Sequence, residues 1–238
     1  MRTGKDRIIV ALDVNSLDKA KHLVEKLAPY VGCFKVGLEL LTSAGAPQVV
    51  KAIHKLGGEV FFDGKFNDIP NTIGGATKAV AMLNVKMFNL HASAGIEGMM
   101  AAVANKGKSI VLAVTVLTSF EENNAHLIFG GPIKAKVLQF ARNAKLAGCD
   151  GIVCSPQELL LLGKQKELSG LLKVTPGIRS LTSLPDDQKR TMTADEAVKA
   201  GADFIVVGRP IIEAPDPFEA AKKMAAEIDA VLNEKETK

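Results

Sequence analysis

Tryptophan is absent from this chain and tyrosine occurs once. Single-strand nucleic-acid binders stack bases on exposed aromatic rings, and a net charge of +4 over 238 residues falls short of the clustered basic face such ligands demand. No nucleic-acid partner is therefore expected. Cysteine is scarce and odd in number: Cys33, Cys149 and Cys154 lie in or beside apolar runs with no C-x-x-C spacing, the pattern of buried free thiols in a reducing compartment. No apolar run approaches the roughly 20 residues of a membrane span, and Met1 to Arg7 leads into a strand without the apolar core of a signal peptide. A soluble, cytoplasmic protein with no membrane partner is expected. Neither a Walker-type loop nor G-x-G-x-x-G is present, so no nucleoside triphosphate or dinucleotide cofactor is indicated. His22, His54 and His126 fall on two helices and a loop without ligand spacing, and His91 would share any site with the ammonium groups of Lys35 and Lys65, which repel a divalent cation. No metal is expected.

What the chain does have is alternation. Apolar, β-rich runs at Ile8 to Val14, Cys33 to Leu40, Glu59 to Lys65, Met87 to Ala92, Ile110 to Leu117, Gly151 to Cys154, Leu172 to Thr175 and Phe204 to Val207 are separated by helical patterns. Ser16 to Leu27 carries Leu17, Ala20, Leu23, Val24 and Leu27 on one stripe, the 3.6-residue period of an amphipathic helix. Further helices are expected over Gly45 to Leu56, Thr72 to Leu83 and about Ala94 to Ala104. Three later ones announce their starts at Ser155-Pro156-Gln157-Glu158, Thr193-Ala194-Asp195-Glu196 and Asp216-Pro217-Phe218-Glu219, each with a capping oxygen three residues before a Glu. The last carries apolar residues to Leu232 and is expected to fray from Asn233 to Lys238. Eight strand-then-helix units with no linker between them give the fold class as α/β, a single (β/α)8 TIM barrel over residues 1–238, with a doubly wound open sheet as the alternative.

In a barrel the strand ends converge on one mouth, where barrel enzymes place their chemistry. Asp13, Lys35, Asp63, Lys65, His91, Thr118, Arg179 and Arg209 recur at those ends. The densest group is Asp63, Lys65 and Asp68. Side chains two apart on a strand share a face, so Asp63 and Lys65 stand together where an apolar strand runs out, with Asp68 in the turn before Pro70. Charges there are costly unless they pair or do chemistry, and from these residues alone a structural ion pair accounts for them as well as catalysis does. Thr175-Pro176-Gly177-Ile178-Arg179 and Val207-Gly208-Arg209-Pro210 follow strands seven and eight, a frequent phosphate site in barrels. They point to a phosphorylated small molecule. Two connections are long, Thr118 to Pro132 and Arg179 to Thr191, and the second, which holds Gln188, reads as a mobile lid, with a merely solvated insertion as the alternative.

Asp63-Gly64-Lys65-Phe66-Asn67-Asp68-Ile69-Pro70-Asn71-Thr72 resembles the D-x-K-x-x-D-I-P-N-T signature of the orotidine 5'-phosphate decarboxylase family, and the similarity extends to Ile9 to Asp13, Phe34 to Gly37, Thr115 to Ser119, Pro176 to Arg179, Gln188 and Gly208 to Pro210. Asn67 and Gly64 depart from it, Asn67 standing where many members carry His. The resemblance implies cofactor-free decarboxylation of orotidine 5'-phosphate to UMP and CO2 by a homodimer. Lys65 would be the proton donor to C6 and Asp63 the neighbour of the substrate carboxylate. Lys35 and Asp68 would complete an alternating charge row, Asp68 coming from the partner subunit. Asp13 would bind ribose hydroxyls and Thr118 the pyrimidine. Arg179, Gln188, Gly208 and Arg209 would bind the phosphate, and Thr72 would contribute near the subunit boundary. A metal-dependent sugar-phosphate decarboxylase or lyase of the same barrel group, and a non-enzymatic nucleotide-binding barrel, are the rival readings.

Overall fold

Eight strands rich in β-branched and aromatic residues close on themselves in chain order: β1 (Ile8–Ala11), β2 (Cys33–Val36), β3 (Val60–Phe66), β4 (Met87–His91), β5 (Ile110–Val114), β6 (Gly151–Val153), β7 (Leu172–Thr175) and β8 (Phe204–Val207). The structure, a computed structural model, describes residues 3–179 and 191–236. Every neighbouring pair is parallel, and the β1–β8 pairing seals the barrel. The main helices outside it are α1 (Gly4–Arg7), α2 (Leu17–Leu27), α3 (Leu38–Ala44), α4 (Ala46–Lys55), α5 (Pro70–Ala81), α6 (Gly95–Asn105), α7 (Glu122–Phe129), α8 (Ile133–Leu146), α9 (Leu159–Gly163), α10 (Ala194–Lys199), α11 (Arg209–Ile212) and α12 (Pro217–Glu236).

The period-two alternation of the strands sorts the core into two compartments. Ile8, Val10, Phe34, Val36, Phe62 and Phe88 face outward and pack beneath the helices, while Ile9, Cys33, Phe61, Met87, Leu112, Val174 and Phe204 fill the barrel. Each fully buried aliphatic or aromatic side chain contributes about 1.5–3 kcal/mol. Continuing the inward phase toward the C-terminal ends replaces Cys33 by Lys35, Phe61 by Asp63 and Met87 by Asn89. The apolar plug thus sits low in the barrel and the polar groups sit at its mouth, which positions the site.

One strand is irregular. Phe62 pairs with Phe88 but Phe66 pairs with Leu90, so four residues of β3 advance against two of β4. Lys65, inside this bulge, has φ of 48°, a left-handed conformation that costs a side-chain-bearing residue roughly 1–2 kcal/mol. Gly64 precedes it where a Cβ would come within 2.5 Å of the Phe62 ring. Phe62, Phe66 and Phe88 pack in series, with ring centroids 5.9 and 6.2 Å apart.

Several boundaries differ from expectation for local reasons. β2 ends at Val36 rather than Leu40, because Gly37 precedes α3, which buries Leu40 and leaves Leu38 exposed. β1 and β5 end at Ala11 and Val114 instead of Val14 and Leu117, which puts Asp13 and Thr118 on loops. α5 starts at Pro70 instead of Thr72, proline being suited to the first helical position, where its missing N–H is not needed. The connection expected as a loop from Thr118 to Pro132 contains α7, closed by Gly130 with φ of 71°. α12 runs to Glu236 rather than fraying from Asn233. The Ser155 and Thr193 capping boxes and the Asp216 cap form as expected.

Gly151 gives a direct test of the closure. A Cβ there would lie 2.5 Å from the Leu172 carbonyl oxygen, whereas at Gly163 it would meet nothing within 4 Å. Gly151→Ala should lower stability by about 1–3 kcal/mol, read as a lower urea midpoint. Gly163→Ala should leave the midpoint unchanged or raise it.

Candidate active site

Charged side chains from the loop after β1 and from β2 and β3 meet in a cavity of about 650 Å³ in the barrel mouth. Lys35 Nζ lies 3.0 Å from Asp13 Oδ1 and 3.1 Å from Asp63 Oδ2, and Lys65 Nζ lies 2.7 Å from Asp63 Oδ1. The order Asp13, Lys35, Asp63, Lys65 alternates in sign. Asp63 is only 5% exposed, so its charge is tolerable because two ammonium groups and an amide surround it.

The balance shows in the titration of the two most buried members. Burial alone would push the Asp63 carboxyl up, but Lys35 and Lys65, with the hydrogen bonds from Lys65 and Asn89, hold it below the usual carboxylate value. Burial would likewise push Lys35 down, and Asp63 and Asp13 more than offset that, so its ammonium is held above the ordinary lysine value. Asp63 and Lys35 are therefore both held in their charged forms, a preorganised field at the base of the cavity. His91, at the end of β4, is shifted down by burial and by the Lys65 charge, with Asp63 opposing.

Of the residues singled out in the sequence, Asp13, Lys35, Asp63, Lys65, Thr118, Arg179, Gly208 and Arg209 line this one cavity. Arg179 is fixed at its backbone, its N–H donating to the Met192 carbonyl at 3.0 Å. The lining also includes the apolar residues Val114, Val116, Leu117, Val153, Pro176 and Ile178.

Two expected residues stand elsewhere. Asp68 and Thr72 are exposed and do not line the cavity; Asp68 Oδ1 accepts from the N–H of Ile69 at 2.7 Å. The charge row of a single chain thus ends on Asp13 and lacks Asp68. Gln188 and most of the Arg179 to Thr191 connection lie outside the described residues. Asn89 was missed: it is 1% exposed, donates to Asp63 Oδ1 at 2.6 Å and accepts from the Lys65 N–H at 2.8 Å. Its signal was an amide at the centre of the otherwise apolar run Met87-Phe88-Asn89-Leu90, in phase with His91. Among the described residues no three His, Cys, Asp or Glu side chains converge as metal ligands. Cys154 lines the cavity wall, but burial pushes its thiol up, so it is a packing group and a poor nucleophile.

Comparison with known proteins converges on one family. A family model described as orotidine 5'-phosphate decarboxylase / HUMPS matches residues 6–224. The chain is 47% identical to the orotidine 5'-phosphate decarboxylase of Geotalea daltonii, an alignment covering 95% of this chain and 98% of that protein. It is 44% identical to the protein of the same name from Moorella thermoacetica, covering 96% and 94%. Among solved structures, orotidine 5'-phosphate decarboxylase from Lactobacillus acidophilus superposes with a TM-score of 0.82 at 33% identity, covering 93% of this chain and 98% of that one.

The titration of the row has a thermodynamic consequence. The Asp63 carboxyl, held below 3.8, contributes stability that is fully present above that value and lost as pH falls through the lowered one; the Lys35 ammonium, held above 10.5, contributes stability that is full below that value and lost as pH rises through the raised one. Asp63→Asn should therefore be less stable than the parent by about 3 kcal/mol at neutral pH, a gap that narrows as pH falls below 3.8 and again at alkaline pH, where Lys35, without Asp63, loses its proton earlier than in the parent. Chemical denaturation across that range reads it.

Proposed function

The chain belongs to the orotidine 5'-phosphate decarboxylase / HUMPS family, and we propose that it converts orotidine 5'-phosphate to UMP and CO2 without a cofactor, as a cytoplasmic enzyme of pyrimidine nucleotide synthesis. The observation that carries this reading is the row Asp13, Lys35, Asp63, Lys65 in one cavity with an apolar lining and with Arg179, Gly208 and Arg209.

The chemistry needs that row. When the bond between C6 and the carboxylate breaks, its electron pair stays on C6 in the plane of the ring, where the π-system delocalises it poorly. A fixed cation at that point stabilises the developing charge in place of a cofactor acting as electron sink. Lys65 supplies it and then passes its Nζ proton to C6, leaving UMP, CO2 and an amine that solvent reprotonates. Asp63, beside the substrate carboxylate, repels it more before CO2 leaves than after, and it anchors both lysines meanwhile.

The remaining roles divide the substrate along the cavity. Asp13 takes ribose hydroxyls. Thr118 takes the polar edge of the pyrimidine, with Val116, Pro176 and Ile178 against its face. Arg179, Gly208 and Arg209 take the phosphate, with Gln188 as the expected fourth member. Binding energy from a phosphate far from C6 lowers the barrier by fixing the base against the row.

Asp68 and Thr72 act in this reading as residues of a second copy's site. They sit on and beside α5, which packs against α6. That face leaves Ile69 66%, Ile96 37% and Met100 53% exposed, apolar area that a two-fold partner would cover. A homodimer then places each Asp68 beside the partner's Lys65 and completes the charge row from outside.

Purified, chelator-treated protein should decarboxylate orotidine 5'-phosphate, followed by the change in pyrimidine absorbance; turnover that appears only on adding a divalent metal and a sugar phosphate would favour the lyase reading, and binding of UMP with no turnover would favour a binding protein. Arg209→Ala should weaken use of orotidine 5'-phosphate severely and leave slow turnover of the phosphate-free nucleoside nearly unchanged; equal losses on both would move Arg209 out of the phosphate grip. Mixing Lys65→Ala with Asp68→Ala under subunit exchange tests the shared site. Random exchange makes about half the dimers mixed, and each mixed dimer has one undamaged site, so about a quarter of the sites should recover. Proven mixed dimers without recovery would place Asp68 outside the partner's site.

A further inference from the structure

Asn89 stands at the centre of β4, almost wholly buried, and its two side-chain hydrogen bonds both go to β3: Oδ1 accepts from the backbone N–H of Lys65 at 2.8 Å, and Nδ2 donates to Asp63 Oδ1 at 2.6 Å. Turning the amide over would set donor against donor and acceptor against carboxylate, so one orientation alone satisfies both partners. Those partners flank Gly64 in the bulge, where the register pairs residues 63 to 65 with neither neighbouring strand. A side-chain amide therefore stands in for the backbone partner that the bulge removes. It does so at Lys65, which has φ of 48°.

A residue held in that region reverts to ordinary strand dihedrals unless its surroundings over-determine it, and a change at the bulge re-aims the side chain that follows. The Lys65 ammonium is directed by two things: its backbone, and its contact with Asp63 Oδ1, the same oxygen to which Asn89 donates. We infer that Asn89 is a positioning residue for the decarboxylation, one amide that fixes the Asp63 carboxylate and the backbone from which Lys65 projects, and so sets where the ammonium points. The inference rests on the reading of Asp63 and Lys65 as the reacting pair. Asn89 carries no charge and exchanges no proton with substrate.

Two variants and one substrate-free measurement test it. In Asn89→Ala, kcat on orotidine 5'-phosphate should fall about 100-fold, the scale of a misplacement of about 1 Å. KM should change less than about threefold, since both hydrogen bonds of Asn89 go to Asp63 and Lys65 and neither to Arg179, Gly208 or Arg209. Without substrate, amide hydrogen exchange at Lys65 should speed up at least about tenfold while the β1 amides keep their protection and melting stays cooperative. Asn89→Asp keeps the acceptor for the Lys65 N–H. Ionised, its new carboxylate opposes Asp63; protonated, it donates as the amide does. Its kcat relative to the parent should fall about tenfold per pH unit above the raised pKa of the new carboxyl, the titratable groups around that position being Asp63, Lys65, Lys35 and His91. Folded Asn89→Ala protein with parental kcat and parental exchange at Lys65 would overturn the inference. If Asn89→Ala does not fold, a parental pH profile in Asn89→Asp overturns it instead. An inactive parent would sink the reaction reading, and the exchange at Lys65 would still decide whether Asn89 holds that residue.

Discussion

A single buried carboxylate organises the mouth of this barrel. Asp63 receives Lys35 on one oxygen and both Lys65 and Asn89 on the other, and Lys35 carries the row onward to Asp13. Without these donors burial would push its carboxyl up, and without Asp63 the two ammonium groups would lose the carboxylate that separates them. The barrel meets this electrostatic demand by stacking its apolar plug below, with Phe61, Met87 and Phe204 inside the sheet. The charges then sit where the strands end and water is partly excluded. The cost is local: a bulged strand and a lysine in the left-handed region, the kind of strain that persists at functional sites when the surroundings hold it.

The arrangement separates two tasks along one cavity. Asp13, Lys35, Asp63 and Lys65 create a fixed field in the cavity, and the segments after β7 and β8 bring Arg179, Gly208 and Arg209 to the same cavity, with Gly208 next to Asp13. Holding a substrate by its far end against a field already in place lets binding energy act on the barrier without reorganisation at the moment of reaction.

Much of this was legible in the sequence. The eight strand-and-helix units follow from hydrophobic period, and Lys35, Asp63 and Lys65 stood out because charge inside apolar runs has few physical excuses. Asn89 did not, since one amide in a strand has no meaning until the register of β3 against β4 is known. α7 was read as a loop because its eight residues lack a side-chain cap and sit in a polar stretch. Asp68 and Thr72 are exposed and do not line the cavity of the single chain, which hydrophobic period alone does not reveal. The sharing of a face by Asp63 and Lys65 was anticipated from strand alternation, yet it is achieved through a bulge and an unusual backbone angle, a different physical route to the same pairing.

The central claim is that the Lys65 ammonium, fixed by Asp63, stabilises the C6 carbanion and protonates it. Single-turnover decarboxylation by Lys65→Ala measures this most directly, with UMP affinity and the thermal melt recorded on the same preparation. The account predicts a rate lower by about 10⁴-fold or more, since both the donor and the charge facing the carbanion are lost, in a protein that still folds. Turnover within about tenfold of the parent would contradict it.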